Sequence, residues 1–372
     1  MCGIAGALVF GNDSFRVTEP YLVRMRDVMA HRGPDGVGTW IAADGRVGLA
    51  FRRLAIIDLS PKANQPMATE DGRFQIVFNG EIYNHAALRR ELETIRPRHW
   101  KTDHADTEVI LHAFGEWGVD AVDHFRGMFA IGLWDVARHE LWLMRDRIGV
   151  KPLYYSVHDG RIVFASEIKA LLEDPQQARA IDEQSLYHYL SFLTTPAPRT
   201  MFGGISKLPG GCWLRITARG EVAIRRYWEV WDHTKPLTSS SDDEIASQLV
   251  EELRTSVRLR KVSDVPVGVF LSGGLDSGTN AVLFSEGEER PIKTFSIGYR
   301  GEYASYRNEF SHARRVAELV GADHHERVLD MSDLIAFLPR MAGALLGLLG
   351  AACGAYQLGH CRHPGDCRLR NG

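Results

Sequence analysis

The chain has 372 residues, 45% of them hydrophobic and 9% aromatic, with a formal net charge of −3. That length allows two domains, and the near-neutral balance gives no electrostatic footprint for nucleic acid or an anionic membrane. No basic segment followed by an apolar core stands at the start, which predicts a cytoplasmic protein, and five cysteines are too few for a disulfide framework.

The chain opens Met1-Cys2-Gly3-Ile4-Ala5-Gly6. Removal of the initiator would leave a cysteine whose thiol attacks a carbonyl while its own α-amine carries the proton. The plainer reading is a small residue after a start codon. Strands are predicted over 4–10, 48–58, 74–78, 128–135, 140–145 and 161–165, where β-branched and aromatic runs are bounded by Gly, Asp or Asn. Helices are predicted over 18–30 and 106–117; in the second, Val109, Ile110, Ala113, Phe114 and Trp117 recur at helical spacing. Many strands with few helices between them indicate packed sheets in an α+β arrangement.

Polar residues interrupt this pattern. Arg53 could hold a carboxylate through its planar fork, or be a solvated edge charge. Asn79 and Gly80, at a strand end, could form an oxyanion hole; Asn-Gly is also a common hairpin turn. Asp106 could cap the helix that it begins, or bind an ammonium group.

Residues 232–243 are polar and read as a linker. Ser241 and Glu244 fit a capping box, and Ile245, Leu249, Leu253 and Val257 recur at i+4, which predicts a helix to about residue 259. An apolar run over 265–271 reads as a buried parallel strand. It leads into Ser272-Gly273-Gly274-Leu275-Asp276-Ser277, where glycines and a helix N-terminus would bring backbone N–H groups to phosphate oxygens. The plainer reading is a tight turn; it is not a Walker A loop. A strand over 294–297, a helix over 308–320 stopped by Gly321, and a third strand over 326–329 complete a βαβαβ outline.

Taken together, Cys2-Gly3-Ile4, His31-Arg32-Gly33-Pro34-Asp35, Arg53-Leu54, Asn79-Gly80-Glu81-Ile82-Tyr83-Asn84 and Asp106-Thr107-Glu108 resemble, in order and spacing, the class II glutamine amidotransferase domain. Arg145 through Tyr155 and Phe164 through Lys169 extend the match over residues 2–230. The resemblance implies an N-terminal-nucleophile (Ntn) hydrolase αββα sandwich. Cys2 would form a γ-glutamyl thioester and release ammonia, with Asn79 and Gly80 as its oxyanion hole. Arg53 and Ile56 would hold the carboxylate side of glutamine, and Glu81 with Asp106 its α-amino group.

Ser272 through Ser277 resemble the pyrophosphate loop of ATP pyrophosphatases, and the two regions in sequence resemble the glutamine-hydrolysing asparagine synthetase family. This implies an α/β ATP-pyrophosphatase-like parallel sheet over 244–340, after a linker at 231–243. Ser272, Gly273, Gly274, Asp276 and Ser277 would grip pyrophosphate, and Leu271 with Ile297 would line the nucleotide pocket. ATP and Mg2+ are the implied cofactors. Glutamine, aspartate and ATP are the implied substrates, aspartate being activated as an acyl-adenylate and amidated by ammonia from Cys2. No nucleic acid or membrane partner is expected, and a homodimer is the assembly allowed for.

Two departures stand out. Gly278 replaces a serine frequent in the family. From Met341 the composition changes, and neither the acidic Asp-Glu-Pro segment nor the second phosphate loop of the family occurs. Residues 341–372 are therefore expected to be a disordered, non-family tail after a truncation or frameshift, leaving the sheet incomplete, the synthetase half inactive and the glutaminase half working. The alternatives are a non-catalytic remnant and an amidotransferase for a non-aspartate acceptor. Cys361, His363 and Cys367 match no zinc spacing, so no metal site is expected.

Overall fold

Short runs in which apolar residues face alternate sides build two sheets in the first part of the chain. The computed structural model describes residues 1–11, 14–235, 241–300 and 309–345. One sheet has the order β10 (Ser206–Lys207), β8 (Tyr154–His158), β9 (Arg161–Ala165), β1 (Gly3–Val9), β3 (Val47–Arg53), β2 (Gly36–Ile41). The other runs β12 (Val222–Arg226), β11 (Cys212–Thr217), β7 (Glu140–Arg145), β6 (Gly127–Asp135), β5 (Phe74–Ile82), β4 (Met67–Ala68). Neighbours in both pair antiparallel.

The period of two assigns each strand's residues to two different cores. Ile4, Leu8, Leu49 and Phe51 of the first sheet meet Val77, Leu143 and Leu214 of the second in an interior layer. On the other face of the first sheet, Ala5, Ala7 and Ala50 pack with Leu22 and Met25 of α1 (Glu19–Asp27) and Leu171 of α5 (Ile168–Leu171). On the far face of the second, Ile76, Phe78 and Ile131 pack with Leu88 of α2 (His85–Ile95) and Val109 of α3 (Asp106–Trp117). Helix, sheet, sheet, helix is the four-layer order that the resemblance implies. Phe164 fixes how closely β1 and β6 approach: a Cβ at Gly6 or at Gly132 would lie 2.6 Å from its ring. Three short helices, α4 (Ala121–His124), α6 (Glu183–Phe192) and α7 (Val230–His233), complete this unit, which spans Met1–Thr234.

Three local expectations change. The strand expected over 48–58 ends at Arg53, because that guanidinium donates to the carbonyls of Asp58 and Ser60 and turns the chain. Asn79-Gly80 is no turn; β5 runs through it to Ile82. Asp106 does not cap α3, whose N-cap is Ala105. Strands β2, β4, β8, β10, β11 and β12 were not anticipated.

Lys235–Leu345 form a second unit. Its sheet is parallel, in the order β13 (Gly268–Phe270), β14 (Lys293–Tyr299), β15 (Asp323–Leu329). The helices are α8 (Asp242–Arg260), α9 (Leu275–Ser285), α10 (Phe310–Leu319) and α11 (Met331–Leu345). The capping box of Ser241 and Glu244 is formed. The strand expected over 265–271 shortens to three residues paired with β14 alone. Helix α11 crosses the composition break at Met341. Asn308, 236–240 and 346–372 lie outside the described residues. This α/β unit is incomplete as a packed layer: its core is Leu271, Ala281, Ala313 and Ala317, and β15 is largely exposed. Among the described residues no helix is long and apolar enough to cross a membrane.

Candidate active site

The parity that sorts the cores also assembles the polar residues. Ile4 and Leu8 of β1 face the interior layer, and Cys2, two residues before Ile4, packs against the same layer. Leu49 and Phe51 face it from β3, so Arg53 follows on that side; Val77 faces it from β5, and Asn79 and Glu81 follow. Because β1 and β3 are antiparallel, with Gly3 opposite Arg52, the start of one lies at the end of the other. Cys2, Arg53, Asn79 and Glu81 are thus brought to one interior.

Cys2 is held at its thiol by the residue just past β3. The Leu54 N–H donates to Sγ at 3.4 Å, and the thiol donates to the Leu54 carbonyl at 3.6 Å. Leu54 is fixed in turn by Asp35: its Oδ2 accepts from the Ala55 N–H at 2.9 Å, and its own N–H donates to the Arg53 carbonyl at 2.9 Å. The Cys2 carbonyl accepts from Arg32 Nε at 2.9 Å. The turn His31-Arg32-Gly33-Pro34-Asp35 therefore grips the neighbourhood of Cys2 from two sides.

Arg53 is 8% exposed, so it is not a solvated edge charge. Two of its donors serve Ser60 and Asp58 carbonyls, leaving the rest of the fork. Ile56 lies half-buried in the segment beyond it.

The free edge of β5 carries the other half of the site. β4 pairs only with Gln75 and Ile76. Beyond them Phe78, Gly80 and Ile82 share one parity, and their N–H groups point away from β6. That of Phe78 donates to Gln65 Oε1 at 2.6 Å, and that of Ile82 to Asp106 Oδ2 at 3.0 Å. Between these two bookends lies the Gly80 N–H. Opposite it, the N–H and C=O of Phe129 both bond with Asp146 instead. Only glycine fits here, since a Cβ would lie 2.1 Å from the Met128 carbonyl oxygen. Next to it, Asn79 is 1% exposed, and its Nδ2 has no hydrogen-bond partner among the described residues. A buried donor without an acceptor costs about 1–3 kcal/mol.

Two charges that sequence reasoning left without a role stand at this site. Lys151 is 5% exposed. Burial lowers its ammonium to about 8; Glu81 opposes that shift and Arg32 adds to it. Its loop is folded by Arg145, which donates to the carbonyls of Lys151, Gly149 and Leu208, and by Asp146, which accepts from the N–H groups of Phe129, Val150 and Lys151. Glu167 accepts from Arg32 and His31. Burial alone would raise its pKa, but those partners outweigh burial and hold it at about 2. Burial raises the Cys2 thiol, against the α-amine ahead of it, the Leu54 hydrogen bond, Lys151 and Arg32.

In the second unit, Gly273 has φ +91° and a Cβ there would lie 2.7 Å from the Glu309 carbonyl, so the loop needs glycine. Gly274 is the N-cap of α9, with no side chain capping the helix. Ser272 and Ser277 brace the loop: their hydroxyls are 2.9 Å apart, and the Ser272 N–H donates to Ser277 Oγ at 3.1 Å. Asp276 is exposed in the first turn, Leu271 is buried beneath, and Ile297 is half-buried on β14. An uncapped helix start with bracing hydroxyls suits a phosphate group. Among the described residues no group of three or more His, Cys, Asp or Glu could hold a metal ion.

Two family models match this chain: a glutamine amidotransferase domain over residues 1–228 and asparagine synthase over residues 248–363. A putative asparagine synthetase [glutamine-hydrolyzing] of Mycobacterium tuberculosis (strain ATCC 25618 / H37Rv) is 37% identical over 331 residues, covering 86% of this chain and 50% of that protein. Asparagine synthetase [glutamine-hydrolyzing] 1 of Bacillus subtilis (strain 168) is 35% identical over 344 residues, covering 92% of this chain and 52% of that protein. The chain spans about half the length of these relatives. A solved glutamine phosphoribosylpyrophosphate amidotransferase from B. subtilis aligns over 88% of this chain and 81% of its own, with 14% identity and a TM-score of 0.46. With more than half its length matched by the first model and the following region by the second, the chain belongs to the glutamine-hydrolysing asparagine synthetase family.

Proposed function

We propose that the first unit hydrolyses glutamine and that Cys2, freed of Met1, is its nucleophile. The observation that carries this is that strand parity brings the half-buried Cys2 to the same interior as the unsatisfied Nδ2 of Asn79 and the edge N–H of Gly80. The Cys2 thiol gives its proton to its own α-amine and Sγ bonds to the side-chain carboxamide carbon. The oxygen, now negative, takes hydrogen bonds from Asn79 and Gly80. Collapse expels ammonia, which leaves with the proton held by the amine, and water then cleaves the thioester to glutamate. Arg53 holds the substrate carboxylate with Ile56 beside it, and Glu81 with Asp106 holds the α-ammonium.

The second unit would hold ATP at Ser272, Gly273, Gly274, Asp276 and Ser277, with Leu271 and Ile297 against the nucleoside. A magnesium ion would come with the phosphates, Asp276 being the one carboxylate in the helix's first turn. Bound MgATP would activate an acceptor carboxylate, aspartate by family, for attack by ammonia. Among the described residues β15 is largely exposed, and we expect glutaminase turnover without acceptor-dependent pyrophosphate release. The measurement is glutamate release from glutamine by the purified chain, with Cys2→Ala alongside and the N-terminus checked by mass spectrometry. Turnover that survives Cys2→Ala, or asparagine formation from aspartate and ATP, contradicts the respective half of this reading.

A further inference from the structure

This inference rests on Cys2 being the nucleophile. A residue at the processed front of a chain has no preceding segment to hold it, and free termini fray unless tied down. Besides the Leu54 contacts to the thiol and the pairing of β1 with β3, ties come from one corner, Ser166-Glu167, between β9 and α5. Ser166, with no exposed surface, donates its N–H to the Ile4 carbonyl at 2.9 Å, and its Oγ accepts from the Ile4 N–H at 3.1 Å. Glu167 Oε1 accepts from Arg32 Nη1 and from His31 Nε2, each at 2.9 Å, while Oε2 lies 3.0 Å from Lys169 Nζ. Arg32, clamped on that carboxylate, donates through Nε to the Cys2 carbonyl at 2.9 Å. The side chains of both Arg32 and Glu167 are 4% exposed, so water does not compete for these bonds. Three backbone groups of Cys2-Gly3-Ile4 are therefore fixed without any contact to the thiol.

We propose that Ser166 and Glu167 are positioning residues, which hold the released N-terminal cysteine in its attacking orientation, Glu167 acting through Arg32. Ser166 fixes the strand two residues on, and the Glu167–Arg32 pair fixes the carbonyl of the nucleophile itself. Loosening either leaves the sulfur chemically intact but aimed over a wider cone, and misplacement of about 1 Å can cost on the order of a hundredfold in rate.

The test uses the full chain with Met1 removal verified. In Glu167→Gln, we expect kcat for glutamine to fall about tenfold or more with KM within about twofold. Alkylation of Cys2 by iodoacetamide, which needs no oriented substrate, should proceed at least as fast as in the parent. A kcat within about twofold of the parent overturns the proposal, as does alkylation slowed in step with kcat. Should Glu167→Gln not fold, Ser166→Ala decides, because it leaves every buried charge paired: kcat lowered about threefold or more at unchanged KM supports the proposal, and parity with the parent overturns it. Cys2→Ala keeps the two ideas separable. Turnover without Cys2 removes the glutaminase reading, whereas Cys2-dependent turnover indifferent to both corner substitutions removes the positioning role alone.

Discussion

The two units of this chain use the same kinds of residue with different completeness. In the first, each sheet has an opposing layer on both faces, and three cores hold aromatic and aliphatic side chains with almost no exposure. In the second, the described residues form a parallel sheet of three strands with one small core, and Leu249, Leu275, Leu319 and Ile335 are each more than half exposed. Parallel sheets are ordinarily covered on both sides. Layer closure, more than composition or motif quality, separates a unit that can hold a buried polar site from one that presents only a loop.

The sharpest test of that contrast is functional. Cys2→Ala should reduce glutamine hydrolysis by about a thousandfold or more, while leaving any binding of inorganic pyrophosphate by the second unit unchanged; calorimetry with pyrophosphate on both proteins checks this. Next is packing. Phe164→Ala should destabilise the first unit by about 3–5 kcal/mol, seen as a lower midpoint for its denaturant transition, because the ring occupies the space left by Gly6 and Gly132. An equal shift in the second unit's transition would break the comparison.

Acid should also divide the units. Glu167 and Glu108 lie at about 2; burial opposes this, but His31 and Arg32 outweigh it for the first, as do His112 and Thr102 for the second. A carboxylate depressed in the folded state stabilises the fold above its unfolded pKa, near 4.5, and that contribution is lost as pH falls through the folded value. The first unit should therefore lose stability as pH drops from about 4.5 to 2, measured by thermal midpoints across that window. The second unit's pairs, Arg254 with Glu286 and Arg314 with Glu326, are solvent-exposed and should contribute little. The smallest effect concerns Gly278 in α9. A Cβ there would meet Val316 Cγ2 at 3.7 Å, an ordinary contact. Gly278→Ala should stabilise the second unit by about 0.5–1 kcal/mol, and destabilisation in its melting curve would show that the position is tighter than the geometry allows.

The sequence made Cys2, Arg53, Asn79 and Glu81 legible as a set because family spacing carried them, yet local chemistry misread two of their surroundings. Asn-Gly looks like a turn from its own propensity; only the approach of the Met128 carbonyl, on the neighbouring strand, explains why the glycine sits mid-strand. Arg53 could be read as solvated until its bonds to Asp58 and Ser60 were seen. Lys151 and Glu167 were visible within motifs but carried no role, since the contacts that give them one join residues far apart in the chain. Among the unexpected strands, β4 and β10 are two residues long and β12 is mostly exposed, which removes the hydrophobic alternation that marks a strand.

The orphaned amide of Asn79 has a consequence for the resting protein. The fold buries that donor with no protein acceptor among the described residues, so an oxygen that reaches it gains a hydrogen bond and displaces none within the protein. Whatever supplies an oxygen there relieves a penalty already incurred during folding, and occupancy should tighten the whole sandwich as well as fill a pocket.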